Sequence, residues 1–219
     1  LKSKVVFFAV AGWSGNTPGQ NFGLLEKRIK ERFGENVEMV APDYLKIKGP
    51  FKKLRTHKSI WQYARIVQSS LDKVKKEYPE TPIIIMGHSM GALIVRIMYF
   101  WRDSEFADII LVGGPHKGFH ERILKLRAVA KAFHIKPFFE MCPESKLLEE
   151  IGGFPDDALY IGGEMDNVVP MMSAVPEEMS RKMALPCDHN MIPYSEEKEA
   201  DSAIPVILKI LEKHVQIVQ

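Results

Sequence analysis

At 219 residues and 46% hydrophobic content, the chain falls between one and two domains in length, and one domain with an insertion fits best. Its 30 basic and 28 acidic side chains nearly cancel, which argues against a nucleic-acid partner and against a disordered polyelectrolyte. No apolar run approaches the roughly 18 residues that span a bilayer, so the chain reads as soluble, cytoplasmic or secreted, with the cytoplasm favoured.

The continuous apolar run 5–10 reads as the first strand. A Gly, Asn and Pro loop at 12–19 then leads into a helix with the stripe Phe22, Leu25, Ile29 and Phe33, which Gly34 stops. Residues 37–41 form a second strand, and 43–58 a long connection. The basic run in that connection, Lys46, Lys48, Lys52, Lys53, Arg55 and Lys58, reads as a solvated loop. Ile60, Ala64, Val67, Leu71, Val74 and Tyr78 recur at three or four residues and mark an amphipathic helix, ended by Pro79 and Pro82. A third strand at 83–86 runs into Gly87-His88-Ser89-Met90-Gly91, and a helix that is apolar nearly all round follows.

Two further short apolar runs, 107–112 and 158–162, read as strands that end in Gly-Gly, and 183–185 as a weaker sixth. The last helix carries Ile204, Ile207, Leu208, Leu211 and Val215 on one side, with Ser202 as its cap. Alternating strands and helices predict an α/β protein of three layers, with a mostly parallel sheet of about six strands. The sequence 1–219 is one domain on this reading. Residues 115–157 interrupt the alternation as a small helical cap insertion. Within it Ile123, Leu126, Ala130 and Phe133 predict one basic amphipathic helix, with Arg122, Lys125 and Lys131 turned elsewhere and peripheral contact with a lipid surface as one use for it. Cys142 and Cys187 match neither zinc-ligand nor Cys-x-x-Cys spacing, so no metal or cofactor is expected, and two free thiols are favoured over a bridge.

Residues 87–91 are a Gly-x-Ser-x-Gly nucleophile elbow between a strand and a helix, the setting that the motif requires. Ser89 is the candidate nucleophile. Its hydroxyl needs a base, and the base a carboxylate to hold its tautomer, in the chain order Ser, acid, His. Asp166, on the loop after the fifth strand, is the candidate acid, with Glu164 in reserve. Of seven histidines, only His189 and His214 follow Asp166, and His214 falls on the last helix, so His189 is the candidate base. Asp188 reads as structural, and His57 and His134 as solvated. The N–H of Met90 and of Trp13 are the candidate oxyanion donors, with Gly12 allowing close approach of the backbone. His88 and His116 are candidate substrate neighbours, and Phe138 and Phe139 candidate acyl-pocket residues, although aromatics in a cap more often build its own core.

Together these motifs resemble the α/β-hydrolase superfamily, and within it the compact bacterial lipase and esterase type. Residues 113–118, Gly-Gly-Pro-His-Lys-Gly, are similar to the Gly-Thr-Pro-His-x-Gly segment of such lipases. Residues 166–170 resemble their acid loop, and 144–151 their Ser-x-x-Leu-x-x-Leu cap stretch. Two departures stand out: Ala11-Gly12 in place of His-Gly at the oxyanion loop, and Gly114 in place of Thr. The resemblance implies a cofactor-free hydrolase acting on a small-molecule or lipid ester, with short or medium acyl chains favoured. An acyltransferase or thioesterase using the same triad, and a ligand-binding relative without catalysis, remain the alternatives. The oligomeric state is open.

Overall fold

Each expected apolar run pairs into one sheet, with β1 (Val5–Val10), β2 (Val37–Val40), β3 (Ile83–His88), β4 (Asp108–Val112), β5 (Leu159–Gly163) and β6 (Lys182–Leu185). All pairs are parallel, in the order β2-β1-β3-β4-β5-β6. The computed structural model describes residues 5–13, 18–45, 58–101, 106–192 and 196–217, with the side chains of 18–21 left aside. The glycine-rich loop beyond Trp13, the basic run from Lys46 to Arg55, and His57 lie outside the described residues.

Because the strands are nearly continuous apolar runs, both sheet faces must be covered, and alternate side chains supply two cores. Val6, Phe8 and Val10 face α2 (Ile60–Glu77) and α3 (Met90–Trp101). On the opposite face Val5, Phe7 and Ala9 pack with residues of α1 (Pro18–Phe33) and α9 (Ile204–Ile217). This is a three-layer sandwich. The Ser202 hydroxyl accepts from the Ile204 N–H at the start of α9, as the sequence predicts.

Strand order reverses at β1, which has β2 on one side and β3 on the other. Connections leaving β1 and β3 therefore head for opposite faces and open a crevice at the carboxyl ends of these strands, the usual ligand position in open α/β sheets. Gly12 and Ser89 lie at that crevice.

Four short helices separate β4 from β5: α4 (Glu121–Leu124), α5 (Arg127–Ala132), α6 (Lys136–Glu140) and α7 (Lys146–Glu150). Short α8 (Met171–Ala174) follows β5. The single amphipathic helix expected from Ile123 to Phe133 is broken between α4 and α5, and its stripe is not buried as a unit. Ala130 is buried, Ile123 partly so, but Leu126, Val129 and Phe133 are 51%, 50% and 46% exposed. Phe119, Ile135, Phe138, Met141 and Leu147 already fill the interior beneath, so α5 seats on its small Ala130 and turns its larger apolar groups outward.

Arg96, on the otherwise apolar α3, is 2% exposed. Its guanidinium donates to the carbonyls of Gly152 and Gly153 and lies 4.1 Å from the ring centroid of Phe154, clamping the chain that returns into β5. The guanidinium thus ties α3 to the segment between α7 and β5.

Candidate active site

Ser89 takes φ +55°, a left-handed conformation that costs a non-glycine residue strain and persists only where the surroundings enforce it. Both elbow glycines are part of that enforcement. A Cβ on Gly87 would lie 2.4 Å from the Gly91 carbonyl oxygen, and one on Gly91 would lie 2.2 Å from that of Val10, both impossible contacts with backbone. Gly12 approaches from the other side, where an added Cβ would come within 2.9 Å of Ser89 Cβ. The Ser89 N–H donates to the Val112 carbonyl at 2.8 Å, anchoring the turn to the end of β4.

His189 Nε2 lies 2.9 Å from Ser89 Oγ, and His189 Nδ1 lies 2.7 Å from Asp166 Oδ2. A neutral imidazole satisfies both contacts in one way: Nδ1–H donates to the carboxylate while Nε2 accepts from the serine hydroxyl. The structure thus brings together three residues from the ends of β3, β5 and β6. The Asp166 side chain is fully buried, and its second oxygen accepts from the N–H groups of Val168 and Val169 at 2.8 and 2.9 Å. Those two donors fix the carboxylate in a tight turn, so the Val pair acts through its backbone. Glu164 is exposed, and its backbone N–H pairs with the Leu185 carbonyl. Asp188 accepts from the Asn190 N–H and pairs with Lys198, a structural carboxylate as expected.

Met90 opens α3, where helix geometry leaves its N–H without an intrahelical acceptor. Trp13 is half-buried against the same core that receives α2 and α3. Both flank Ser89, one through the helix and one through the loop bearing Gly12.

His88, His116, Phe138 and Phe139, the other anticipated neighbours, each make contacts within the protein. His88 Nε2 donates to the His189 carbonyl at 3.0 Å, so its ring holds the loop that carries His189. Burial, with the nearby His189 ring adding to it, pushes the His88 pKa down to about 4. His116 is 2% exposed, edge-on to Phe154 and Tyr160, and neither ring nitrogen has a partner among the described residues. Burial, then the Arg96 charge, holds His116 far below the usual imidazole range. Phe138 belongs to the filled interior with Phe119, their centroids 5.7 Å apart. Phe139 is 37% exposed and lines a surface groove with Lys131, His134 and Lys136. Burial in the interior accounts for His116 and Phe138, whereas Phe139 stays at the surface. His134 is exposed, as expected.

Both cysteines are unbridged. Cys142 is buried, with its thiol 3.5 Å from the Phe138 carbonyl, and burial, followed by Asp188, pushes the Cys187 thiol up to about 11, which keeps it protonated. Arg96 and Tyr44 are the residues of consequence that sequence reasoning passed over. An arginine inside the apolar run after Ser89 is a signal that could have exposed the first.

The three-layer architecture with its six-stranded parallel sheet is an α/β-hydrolase fold. The Hydrolase_4 family, described as serine aminopeptidase S33, matches residues 52–150. Mouse and human monoglyceride lipases are each 34% identical to the chain over 50 residues, which is 23% of this chain and 16% of theirs. The chain therefore aligns with about one sixth of the length of these curated relatives. Among solved structures, one of the two metagenome-derived lipolytic enzymes LipS and LipT superposes with a TM-score of 0.71 at 13% identity, covering 98% of this chain and 96% of its own. Phospholipase PlaB of Legionella pneumophila reaches 0.69 at 14% identity, over 98% of this chain and 63% of its own. Est1E of Butyrivibrio proteoclasticus reaches 0.62 at 12% identity, over 100% and 89%. Among the described residues no helix is long and apolar enough to cross a membrane.

Proposed function

We propose that the chain is a serine hydrolase that cleaves carboxylic esters of short or medium acyl chain, as a single α/β-hydrolase domain capped by residues 115–157. The observation that carries this reading is the unbroken hydrogen-bonded line from Ser89 through His189 to Asp166, anchored at a serine of positive φ. His189 Nε2 takes the hydroxyl proton as Ser89 Oγ attacks the ester carbonyl, and Asp166 stabilises the resulting imidazolium. The N–H groups of Met90 and Trp13 receive the oxyanion, each worth roughly 3 kcal/mol in the transition state. Collapse expels the alcohol with the proton from Nε2, and water, deprotonated by the same imidazole, releases the acid. The interior beneath the cap, filled by Phe119 and Phe138, supports a shallow acyl site.

The natural ester is a small molecule or a lipid, and we assign the outer face of the cap to an anionic lipid surface. Leu126, Val129 and Phe133 share one exposed helical face, and the segment 121–136 carries Arg122, Lys125, Arg127, Lys131 and Lys136 against Glu121. Exposed apolar groups ringed by cations fit a membrane interface better than bulk water.

Nitrophenyl esters of increasing acyl length, given to the protein and to Ser89→Ala, test the enzymatic reading. The expected outcome is turnover that peaks at short or medium chains and falls by about 10⁴-fold or more in Ser89→Ala. A fluorophosphonate probe should label Ser89 stoichiometrically. No turnover and no adduct on Ser89 would leave a binding protein instead.

A further inference from the structure

We infer that Tyr44 is a positioning residue for the oxyanion loop, its hydroxyl holding the Ala11 carbonyl so that Gly12 and Trp13 are set against Ser89. This inference rests on the ester-hydrolase reading and assigns the support that the loop lacks with Ala11 preceding Gly12.

β1 ends at Val10, so the Ala11 carbonyl is the first beyond the strand. It is nevertheless in a tight place: an added Cβ on Gly91 would lie 2.6 Å from this oxygen, which packs on the first turn of α3. The Tyr44 hydroxyl donates to it. Both residues are buried, with Tyr44 5% and Ala11 4% exposed. In so dry a setting a carbonyl needs its donor, and fixing the Ala11 oxygen fixes the plane of the peptide that it shares with Gly12. The next peptide supplies the Trp13 N–H. A hydroxyl that bonds the Ala11 oxygen therefore controls the direction of donors aimed at the oxygen of a substrate bound to Ser89.

Tyr44 is itself held. It leaves the end of β2 through a turn in which its N–H bonds the Pro42 carbonyl, and its ring meets Tyr63 of α2 edge-on, with centroids 5.5 Å apart. Tyr63 belongs to the first turn of α2, whose leading N–H, from Ile60, donates to Glu140 of α6 at 2.6 Å. One contiguous set of contacts, Glu140 to α2, Tyr63 to Tyr44, and Tyr44 to Ala11, thus joins the insertion to the oxyanion loop. Burial keeps the Tyr44 phenol protonated far above the usual tyrosine range, so the donor is present at every working pH.

The test compares Tyr44→Phe with the parent enzyme on a nitrophenyl butyrate substrate. Loss of the hydroxyl should lower kcat by 5-fold to 30-fold and leave KM within 2-fold. Affinity for a trifluoromethyl ketone, whose adduct on Ser89 places an anion in the hole, should fall by the same factor, whereas affinity for the product carboxylate should hold. A merely structural role would lower thermal stability and leave the ratio of these two affinities untouched. Tyr63→Leu, which withdraws the supporting ring and keeps the hydroxyl, should give a smaller loss of the same kind, and it serves should Tyr44→Phe fold poorly. Unchanged kcat in both folded variants, in a parent that hydrolyses the ester and labels at Ser89, overturns the assignment to Tyr44 alone. A parent that does neither overturns the hydrolase reading and this inference with it.

Discussion

His88 Nε2 reaches across 3.0 Å to the backbone oxygen of His189, so one imidazole beside Ser89 anchors the chain that presents the other. Burial keeps the His88 ring neutral even though this bond alone would favour the charged form. An unfolded histidine takes up a proton near pH 6.5, whereas His88 in the folded protein does so only near 4. Between those values the unfolded chain binds more protons, so stability should fall as pH falls from 6.5 towards 4. The shift corresponds to about 3 kcal/mol at most, and buried His116 acts in the same direction. Urea unfolding across this range should show the loss. His88→Gln, whose amide nitrogen reaches nearly as far as Nε2 and cannot titrate, should give a shallower acid limb and retain activity, whereas His88→Leu should lose kcat because the His189 loop is released. An acid limb as steep in His88→Gln as in the parent would assign the effect to other groups.

Asp166 touches the imidazole through one oxygen and the turn through the other, which separates geometry from protonation. In Asp166→Asn the amide oxygen can still accept from Val168 and Val169, and the amide nitrogen then faces His189 Nδ1. A donor in that place favours the tautomer with its proton on Nε2, which cannot accept from Ser89. Rates should fall by roughly 10³-fold to 10⁴-fold, with thermal stability close to that of the parent. Steady-state kinetics beside a melting curve checks both halves.

The three residues that meet at the candidate site are legible in the sequence because each obeys a local rule. Ser89 sits between two glycines at a strand end, and Asp166 and His189 lie on polar loops beyond later strands, in the required chain order. Continuous apolar runs likewise give the four inner strands, β1, β3, β4 and β5, which are buried almost throughout. What escapes is decided by tertiary packing. Tyr44 lies in an irregular stretch with no period, and its bond to Ala11 exists only because the ends of β1 and β2 meet. The break before α5 is also invisible locally, since the stripe from Ile123 to Phe133 is a sound helical pattern overruled by an interior already filled by Phe119 and Phe138.

Arg96 raises a question of sign. Among the described residues its guanidinium meets no carboxylate and Nη1 has no partner, and burial pulls its pKa down to about 10, all of which cost stability. Against this stand two hydrogen bonds to carbonyls and the face of Phe154. Those carbonyls belong to exposed Gly152 and Gly153, which can turn to water, so the benefit of the bonds is modest. Arg96→Met, similar in length and free of charge, should therefore stay within about 1 kcal/mol of the parent in urea unfolding. Arg96→Lys should cost about 2–3 kcal/mol, because an ammonium is more strongly hydrated and cannot stack on Phe154 as the planar guanidinium does. The reverse ranking would show that the clamp on the 152–154 segment dominates.

The outer face of the cap supplies the last prediction. Burying Leu126, Val129 and Phe133 in a headgroup layer gains on the order of 1–2 kcal/mol each, and each nearby cation adds about 1 kcal/mol on an anionic surface. Arg127 already pairs with Glu144 and Lys136 with Glu140, so Arg122, Lys125 and Lys131 carry most of the electrostatic part. The protein should therefore co-sediment with vesicles of three parts phosphatidylcholine to one part phosphatidylserine, less so at 0.5 M salt, and barely with phosphatidylcholine alone. Phe133→Glu removes one apolar anchor and adds a repelled charge, and it should weaken vesicle binding by 10-fold or more. Because Phe133 projects from the outer side of α5, hydrolysis of a soluble butyrate ester should be unaffected. Equal sedimentation of the parent and Phe133→Glu, or no sedimentation of the parent, would remove the membrane from the account and leave a hydrolase of dissolved esters.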